Sequence, residues 1–406
     1  MIHHDILIVG SGVMGVALAD SLNPKDFSIG IVESNSHASF SKRHLSINQK
    51  SLSFLKKLGV WEKISPNAFP YEKIKVWEQE GSGYIEFDAN AARLNPLGHI
   101  VSEGNIQKNL LESLEKKEIS FYWDNKLEEI NRNDEKITCK TSNNELSCNI
   151  LIGCDGINSA VRSLGKFKSR SWSYNQTALV ANLKSSSTDS TIRQTFTKIG
   201  PLALLPINDD ELTMIWSIDD TSAFIFLQKE KKEFIAEINN HFGETFNDLV
   251  FSTEIQHFPL NHLSAKTFAK NGIFLIGDAA HQIHPLAGLG LNAGLGDVKC
   301  LSEAINDFGK LELKKITQVY NRKRIPINLA LAASMEAFKR GFEAENIWIR
   351  FLRNSAFNIT NNSDLLKKKF MEIATELTDS KSSSALFSFI KIGRPSCAEF
   401  RGIIFP

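Results

Sequence analysis

A glycine-rich stretch between an aspartate and an asparagine carries the residue types and spacing in this sequence that best suit chemistry. Residues 273–297 read IFLIGDAAHQIHPLAGLGLNAGLGD. The carboxylate of Asp278 can accept hydrogen bonds from polyol hydroxyls, while Gly288 and Gly290 leave room for a flat ring against the backbone. A helix opening at Asn292 would direct free N–H groups and a positive dipole end at that ring. The stretch therefore predicts a site for a flat, negatively charged cofactor ring.

A buried strand and a loop must position these residues. Residues 273–276 are all apolar, as in a strand buried on both faces, and Gly277 lets the backbone turn at the carboxyl end of that strand. Ligands of open α/β sheets bind at such ends. Pro285 would fix the direction of the loop before a helix that continues through residue 304. The predicted order is strand, tight loop, helix.

Three simpler interpretations compete with a cofactor site. His281 and His284 could be zinc ligands, but Pro285 breaks the helical register that would align them, and no carboxylate or cysteine completes a ligand set. Two loop histidines that cap the backbone are the favoured alternative, and no metal site is predicted. The glycines could be plain turn residues, yet this junction has more of them than a turn needs.

Composition limits the class of protein. The 406 residues are 42% hydrophobic and 23% charged, typical of a soluble globular protein with room for two or three domains. A net charge of +1 provides no overall field that would attract nucleic acid. The five cysteines form no CxxC pair, and we find neither a secretion signal nor an apolar run long enough to span a bilayer. These features favour a protein of the reducing cytoplasm.

A second glycine motif lies near the amino terminus, where the chain reads DILIVGSGVMGVALA. This is a strand, then GxGxxG, then a helix of small residues. Gly10 would make the turn, Gly12 would admit a pyrophosphate at the helix N-terminus, and Gly15 would let the helix pack closely on the strand. The next apolar strand ends in Glu33, at the spacing of an acid that binds ribose hydroxyls. This fingerprint predicts a dinucleotide but does not separate FAD from NAD.

A third motif makes the resemblance to a known family specific. Residues 151–162 read LIGCDGINSAVR, again a strand followed by a helix start. Together with the two glycine motifs, in this order and spacing, it resembles the flavin-dependent aromatic hydroxylases. The chain is most similar to the UbiH-type hydroxylases of ubiquinone biosynthesis. This closer similarity is carried by Arg43, LGVW at 58–61, GPLALLP at 200–206 with Trp216, and HPLAG at 284–288.

The resemblance implies bound FAD and a co-substrate, NAD(P)H, that docks transiently without a Rossmann domain of its own. It implies that Glu33 holds the ADP half of FAD, that Asp278 binds the ribityl chain, and that Arg43 lies near the flavin ring. The motif at 155–162 is linked to both nucleotides. For Arg43 and Arg162, a surface salt bridge is the alternative. The implied cofactor contacts are Gly10, Gly12, Gly15, Glu33, Arg43, Gln107, Asp155, Gly156, Arg162, Gly277, Asp278, Leu289, Gly290, Leu291 and Asn292, and the implied catalytic surface comprises Pro285, Gly288, Gly290 and Asn292.

Two positions depart from the pattern of the family. Gly104 stands where the family commonly has an arginine, and Leu289 stands where it often has a glutamine. The cofactor scaffold is retained at both. Loss of a cation near the cofactor would weaken FAD binding or alter nicotinamide docking.

The predicted fold class is α/β, with a Rossmann-like FAD-binding domain, an inserted antiparallel β-sheet substrate domain and a C-terminal helical region. Alternating patterns predict the inserted strands, with a Gly81–Gly83 hairpin between the first two. We expect the FAD-binding domain at 1–72, 98–175 and 262–343, the substrate domain at 73–97 and 176–261, and the helical region at 344–406. The predicted inserted strands are 74–78, 84–88, 178–183, 192–198, 202–205, 212–219 and 251–260, and the predicted later helices are 230–241, 311–321, 329–342 and 345–356.

The last of these helices has two interpretations. Trp348, Phe351 and Leu352 share one face at helical spacing, with arginines at 350 and 353 beside them. Such a face could rest on a membrane surface. It could equally pack on the flavin domain.

The resemblance implies a monooxygenase that activates O₂ at the flavin C4a carbon and hydroxylates a polyprenylated phenol or quinol precursor of ubiquinone. The cofactor carries this chemistry, while the protein positions the reactants and excludes water. Partners in a biosynthetic complex and peripheral contact with the inner face of the membrane follow as expectations. A hydroxylase of a small soluble aromatic, or a non-catalytic flavin-binding partner, remain as alternatives.

Overall fold

The computed structural model describes residues 1–79, 83–133, 136–186, 188–246, 248–284 and 288–343, together with Asn361. In these residues the strands are β1 (Ile2–Val9), β2 (Ile29–Val32), β3 (His44–Asn48), β4 (Ala68–Tyr71), β5 (Lys73–Glu78), β6 (Tyr84–Asp88), β7 (Gly98–Ser102), β8 (Ile119–Tyr122), β9 (Leu127–Arg132), β10 (Ile137–Thr141), β11 (Glu145–Gly153), β12 (Ser169–Lys184), β13 (Thr191–Thr197), β14 (Gly200–Pro206), β15 (Glu211–Asp219), β16 (Val250–Phe251), β17 (Gln256–Ala265), β18 (Ala269–Lys270), β19 (Ile273–Leu275) and β20 (His281–Gln282). The helices are α1 (Val13–Ser21), α2 (Gln49–Lys57), α3 (Trp61–Ile64), α4 (Glu103–Leu114), α5 (Ala160–Leu164), α6 (Asp220–Gln228), α7 (Lys231–Phe242), α8 (Leu289–Phe308) and α9 (Leu313–Glu343), with short 3-10 turns at Ser65–Asn67, Gly243–Thr245 and Gly277–Ala279.

An eight-stranded sheet brings the three sequence motifs to one edge. Its order is β18-β19-β11-β1-β2-β8, with β10 and β9 extending from β11. β1 pairs in parallel with β2 and β11, and β11 pairs in parallel with β19. Ile6, Leu7 and Ile8 of β1 are fully buried, as expected for a central parallel strand. Parallel pairing places the carboxyl ends of β1, β11 and β19 together, so the glycine loop, the middle motif and Asp278 meet there.

A nine-stranded, mainly antiparallel sheet forms the inserted part. Its order is β20-β17-β12-β15-β14-β13-β5-β6, with β16 on β12. Trp216 packs edge-on against Phe226 of α6 and Phe234 of α7, so these two helices cover one face of the sheet. The predicted antiparallel strands are confirmed, except that the strand predicted at 251–260 is two strands, β16 and β17, separated by residues 252–255. The tip of the predicted hairpin, residues 80–82, lies outside the described residues. This pair of sheets confirms the predicted Rossmann-like domain with an inserted antiparallel sheet.

The later helices differ from prediction. The two helices predicted at 311–321 and 329–342 form the single helix α9, which continues through Pro326. Proline removes a helical hydrogen bond. Arg324 and Asn328, on either side of it, both donate to the buried carboxylate of Asp297 on α8, and these bonds anchor the helix across the proline. Helix α6 was not predicted, because Phe224, Ile225 and Leu227 point to solvent and obscure its amphipathic pattern.

The predicted C-terminal helical region at 344–406 lies outside the described residues apart from Asn361, whose side-chain oxygen accepts from the backbone N–H of Glu86 at 3.1 Å. Within the described part of the chain, no helix is long and apolar enough to cross a bilayer. The domain boundaries stay a prediction. The long antiparallel pair of β12 and β17 continues across two of the predicted boundaries, those at residues 175 and 261.

Candidate active site

The glycine loop between β1 and α1 has the shape of a phosphate-binding turn. Gly10 adopts φ 104°, and a Cβ there would lie 2.4 Å from the carbonyl oxygen of Cys154. A Cβ on Gly15 would lie 2.0 Å from the carbonyl oxygen of Gly10, so the helix packs directly on the turn. A Cβ on Gly12 would meet no atom within 4 Å. Gly12 is the N-cap of α1 without a side-chain cap, which leaves free N–H groups facing open space, as a diphosphate requires.

Glu33 stands at the end of β2, beside this loop. Its carboxylate accepts from the Ser11 backbone N–H at 2.9 Å and hydroxyl at 2.8 Å, and from the Asn35 backbone N–H at 2.9 Å. Burial acts to raise the pKa of Glu33, but these hydrogen bonds outweigh it and hold the pKa below its usual value. The side chain is therefore an oriented carboxylate, suited to ribose hydroxyls.

A cavity of about 230 Å³ opens between the glycine loop and α4. Gln107 is buried in its wall and donates to the carbonyl oxygen of Ser11 at 2.9 Å, so it holds the loop in place. The cavity is lined by Ser11, Gly12, Val13, Glu33, Asn35, Ser39, Ser41, Glu103 and Gln107. Its wall of hydroxyl, amide and carboxylate groups fits the polar ADP half of FAD.

Arg43 contacts one of the acidic residues that line this cavity. Its guanidinium donates to Glu103 at 2.8 and 3.1 Å, and its side chain is 46% exposed. The salt bridge considered as the alternative is therefore present. The charge of Arg43 also acts to lower the pKa of Asp278.

Steric contacts explain why a glycine stands at position 104. A Cβ at Gly104 would lie 2.5 Å from the carbonyl oxygen of Ser41 and 3.0 Å from the Cβ of Phe40. An arginine at this position would force the segment that carries Arg43 outward. The departure from the family pattern thus belongs to the local packing of this chain.

Asp278 is presented on the tight turn Gly277–Ala279. Gly277 takes φ 58°, the left-handed conformation that the predicted turn needs. The Asp278 side chain is accessible to solvent, yet protein atoms crowd the carboxyl group, as in the wall of a crevice. This crowding raises the pKa of Asp278 against the opposing charges of His281 and Arg43. An open carboxylate among few competing donors suits the polyol chain of FAD.

The middle motif braces that turn from the opposite side. Asp155 accepts from the Val161 N–H at 3.0 Å and so orders the start of α5. Gly156 takes φ 72°, again left-handed. Arg162 is half-buried, and its guanidinium donates to the carbonyl oxygens of Ala279, at 3.0 Å, and Ile157. Arg162 thus forms internal bonds to backbone rather than the surface salt bridge considered as the alternative.

Helix α8 begins earlier and ends later than predicted. Its N-cap is Gly288, at φ 59°, and it runs to Phe308 rather than residue 304. Asn292 does not open the helix. It is 2% exposed, its amide donates to the carbonyl oxygens of Ser46 and Gly288, and its oxygen accepts from the Asn48 N–H and the Ser51 hydroxyl. The predicted position at the helix start is wrong because tertiary contacts use both ends of this amide, and Asn292 anchors α8 to β3 and α2.

The first turn of α8 has one open position. A Cβ on Gly290 would meet no atom within 4 Å, whereas Leu291 is buried in the core of the eight-stranded sheet. Leu289 packs in apolar clusters with Ile283 and Leu331. Among the described residues no side chain caps this helix, so its N-terminus suits an anionic ring. Pro285 lies outside the described residues.

The two histidines do not cap the backbone, which corrects the favoured alternative. His281 donates from Nε2 to Asp297 at 2.6 Å, and His284 donates to the side-chain oxygen of Gln176 at 3.0 Å. In the described part of the chain, no three His, Cys, Asp or Glu side chains group as metal ligands. The prediction missed Asp297 and Arg324. The available signal was an acid flanked on both sides by small and apolar residues in the first half of α8.

Comparison with known proteins bears on the whole site. Residues 3–332 match the family model described as FAD binding domain. The chain belongs to this FAD binding domain family. It is 30% identical over 389 residues to 3-demethoxyubiquinol 3-hydroxylase of Escherichia coli (strain K12), covering 92% of this chain and 98% of that protein. It is 28% identical over 440 residues to the mitochondrial ubiquinone biosynthesis monooxygenase of Xenopus tropicalis, covering 92% and 93%.

Solved structures agree on the fold. The p-nitrophenol 4-monooxygenase of Pseudomonas putida DLL-E4 superimposes with a TM-score of 0.78 at 18% identity, covering 94% of this chain and 100% of that one. This FAD binding domain protein is thus an FAD-dependent aromatic hydroxylase that uses NAD(P)H as co-substrate. The open space at Gly12, the polar cavity and the uncapped helices α1 and α8 fit FAD. Bound FAD supplies the activation of O₂, which no side chain can provide.

Proposed function

We propose that the enzyme hydroxylates the aromatic ring of a polyprenylated phenol or quinol precursor in ubiquinone biosynthesis. The observation that carries this proposal is the 30% identity to a hydroxylase named for a demethoxyubiquinol, across 98% of that protein. The predicted cofactor contacts and catalytic surface are part of the proposal. In it, Asp278 binds the ribityl chain, Glu33 binds the ribose, and the first turn of α8 faces the flavin ring.

The inner face of the nine-stranded sheet supports an apolar substrate. Ile215, Ala203, Gln194 and Val76 lie directly opposite one another across four strands, so their side chains share one face. All four are partly exposed. Val76 belongs to the same apolar cluster as Leu289 at the start of α8, and this contact supports a substrate position beside the proposed flavin. The row offers an aliphatic surface with one amide, suited to an aromatic ring that carries few polar groups.

A polyprenylated substrate is delivered from lipid, so we include peripheral contact with the inner face of the membrane in the proposal. Assembly with other biosynthetic enzymes is part of it as well. The names of the two relatives support the kind of substrate, since one is named for a demethoxyubiquinol and the other for ubiquinone biosynthesis.

Mass spectrometry of quinone intermediates in cells that lack the gene tests the pathway. We expect a prenylated ring one hydroxyl short of its successor to accumulate, and the plasmid-borne gene to restore the successor. An unchanged quinone profile would refute the assignment.

A second experiment tests the substrate class with purified protein. Product formation from a prenylated phenol and from the same phenol without its tail is compared for the parent and Ala203→Phe. We expect the parent to favour the prenylated phenol, and Ala203→Phe to lose product while it retains FAD, because the larger side chain obstructs the row. A preference for the unprenylated phenol would favour a hydroxylase of small aromatics.

A further inference from the structure

We propose that Asp297, a buried carboxylate on α8, is a positioning residue that holds the turn bearing Asp278 in its FAD-binding geometry. The inference concerns the cofactor and does not depend on the identity of the phenol. Asp297 itself lies too deep to touch FAD, since its side chain is fully buried.

Asp297 forms hydrogen bonds to one residue before Asp278 and to one residue after it. One carboxylate oxygen accepts from the Gly277 backbone N–H at 3.1 Å and from Nε2 of His281 at 2.6 Å. Gly277 immediately precedes Asp278, and His281 follows three residues after it. A single oxygen therefore closes the turn on either side of the cofactor-facing carboxylate.

The other oxygen of Asp297 faces α9. It accepts from Nε of Arg324 at 2.6 Å and lies 3.5 Å from the amide nitrogen of Asn328. Arg324 is fully buried and also donates to the carbonyl oxygen of Ala293 on α8, at 3.0 Å. A buried negative charge is costly without such a partner, so Arg324 stabilises the carboxylate that the turn requires.

Other bonds make this arrangement rigid. Arg162 holds the carbonyl oxygen of Ala279 from the side of α5, and Asn292 ties the first turn of α8 to β3. The turn is thus held at Gly277, Ala279 and His281, while the Asp278 carboxylate is left open to solvent. Because Asp297 and the uncapped N-terminus belong to one helix, the bond from Asp297 sets the distance between two cofactor-facing elements.

A merely structural ion pair would behave differently, and the chain contains a matched control. Asp20 on α1 is also a buried carboxylate, and Nζ of Lys117 lies 2.6 Å from it. Neither Asp20 nor Lys117 lines the cavity or contacts the turn. Asp297→Asn and Asp20→Asn each remove one charge from a buried, ion-paired carboxylate in the same sheet-and-helix unit.

The experiment measures the FAD dissociation constant, the visible circular dichroism of bound flavin and the melting temperature of the apoprotein for both variants. We expect Asp297→Asn to weaken FAD binding at least about tenfold and to alter the flavin signal, while Asp20→Asn changes only the melting temperature. Equal weakening by both variants, or parental FAD binding and flavin signal in Asp297→Asn, would overturn the proposal.

Two further variants keep the test decisive. If Asp297 acts through Asp278, adding Asp297→Asn to Asp278→Ala should weaken FAD binding little further, whereas independent effects would multiply. If Asp297→Asn fails to fold, His281→Asn leaves the Asp297–Arg324 pair intact and loosens only the turn. We expect His281→Asn to weaken FAD binding at least about threefold, and parental affinity would count against the proposed role.

Discussion

The two acidic residues proposed to bind the cofactor differ in how many hydrogen-bond positions they leave open for a ligand. Glu33 already accepts hydrogen bonds from Ser11 and Asn35, whereas the Asp278 carboxylate has an open side towards solvent. Glu33 therefore shapes the cavity as well as facing it. Asp278 is the residue whose replacement should act most directly on the ligand.

We expect Asp278→Ala to weaken FAD binding tenfold to a hundredfold. The change removes charge-assisted hydrogen bonds worth about 1.5–3 kcal/mol. Fluorescence titration of the apoprotein with FAD measures the loss. Asp209→Ala, at an exposed acid of the β14–β15 loop, is the control and should bind as the parent does. Parental affinity in a folded Asp278→Ala protein would show that the cofactor site is misassigned.

Asp297 should give the apoprotein a specific acid sensitivity. Burial acts to raise the pKa of Asp297, but the charges and hydrogen bonds of Arg324 and His281 outweigh it and lower the pKa to about 2, from a usual 3.8. An acid whose pKa is lowered by folding stabilises the fold at any pH above its pKa in the unfolded state. That stabilisation is lost as the pH falls towards the lowered pKa of the folded state. The shift corresponds to about 2 kcal/mol.

The measurement is the free energy of unfolding by urea, for the parent and for Asp297→Asn, between pH 5 and 3. We expect the parent to be more stable at pH 5 and the difference to fall to roughly half by pH 3. A difference that stays constant over this interval would mean that Asp297 does not carry the charge described here.

At the scale of elements, the β1–α1 unit separates a glycine needed for the fold from one needed for the ligand. A Cβ at Gly15 would collide with the carbonyl oxygen of Gly10, while a Cβ at Gly12 would enter open space. Gly15→Ala should therefore destabilise the apoprotein by about 1–3 kcal/mol, as overpacking does. Gly12→Ala should leave its melting temperature unchanged and weaken FAD binding at least about tenfold. Apoprotein melting and FAD titration, compared between the two variants, would contradict this division if both variants lost stability equally.

The helix predicted in the C-terminal region is a candidate for contact with lipid. The helix predicted at 345–356 lies outside the described residues, and its Trp348, Phe351 and Leu352 could touch lipid or pack in the core. If they touch lipid, changing all three to Ser should release the protein from anionic vesicles without lowering its melting temperature. If they are core, the melting temperature should fall severely, since each buried side chain contributes about 1.5–3 kcal/mol.

Helix α6 provides the comparison. Its Phe224, Ile225 and Leu227 are exposed, so changing them to Ser should leave the melting temperature unchanged. Vesicle sedimentation of both triple variants then shows which surface contacts lipid. If both triple variants stay on the vesicles and keep the parental melting temperature, neither the lipid-contact nor the core interpretation of the C-terminal helix holds.

At the scale of the whole molecule, the enzyme uses two nucleotides, FAD and NAD(P)H. Within the described residues, the eight-stranded sheet has the parallel Rossmann-like pairing, and the nine-stranded sheet is mainly antiparallel. If NAD(P)H docks transiently against the flavin, as the family resemblance implies, reduction before the phenol arrives would waste O₂ as peroxide.

We expect NAD(P)H oxidation by the FAD-loaded enzyme to rise at least about tenfold when a prenylated phenol is added, a barrier change of roughly 1.4 kcal/mol. An analogue that binds but cannot be hydroxylated should stimulate oxidation equally and yield hydrogen peroxide. Stopped-flow absorbance of the flavin and a peroxide assay measure the two effects. Fast reduction without any phenol would remove the gating, and no reduction under any condition would favour a non-catalytic partner.

The sequence by itself determined the features that depend on neighbouring residues. The turns at Gly10 and Gly277, the buried strands before them, the uncapped helix after Gly12 and the antiparallel sheet all follow from local backbone preference and hydrophobic period, and the structure contains each of them. The meeting of the three motifs at one edge could be predicted, because the carboxyl ends of neighbouring parallel strands in one sheet lie together.

Only the tertiary structure decided how the polar side chains between those elements are used. Asn292 reaches Ser46, 246 residues away in the chain, and Asp297 joins Arg324, 27 residues later, so α9 continues through Pro326 where local preference predicted a break. Arg162 likewise meets Ala279, at a separation of 117 residues. No periodic pattern encodes such pairs. Each buried polar group must find a partner, but the chain identifies that partner only when packing has brought distant segments within hydrogen-bond distance.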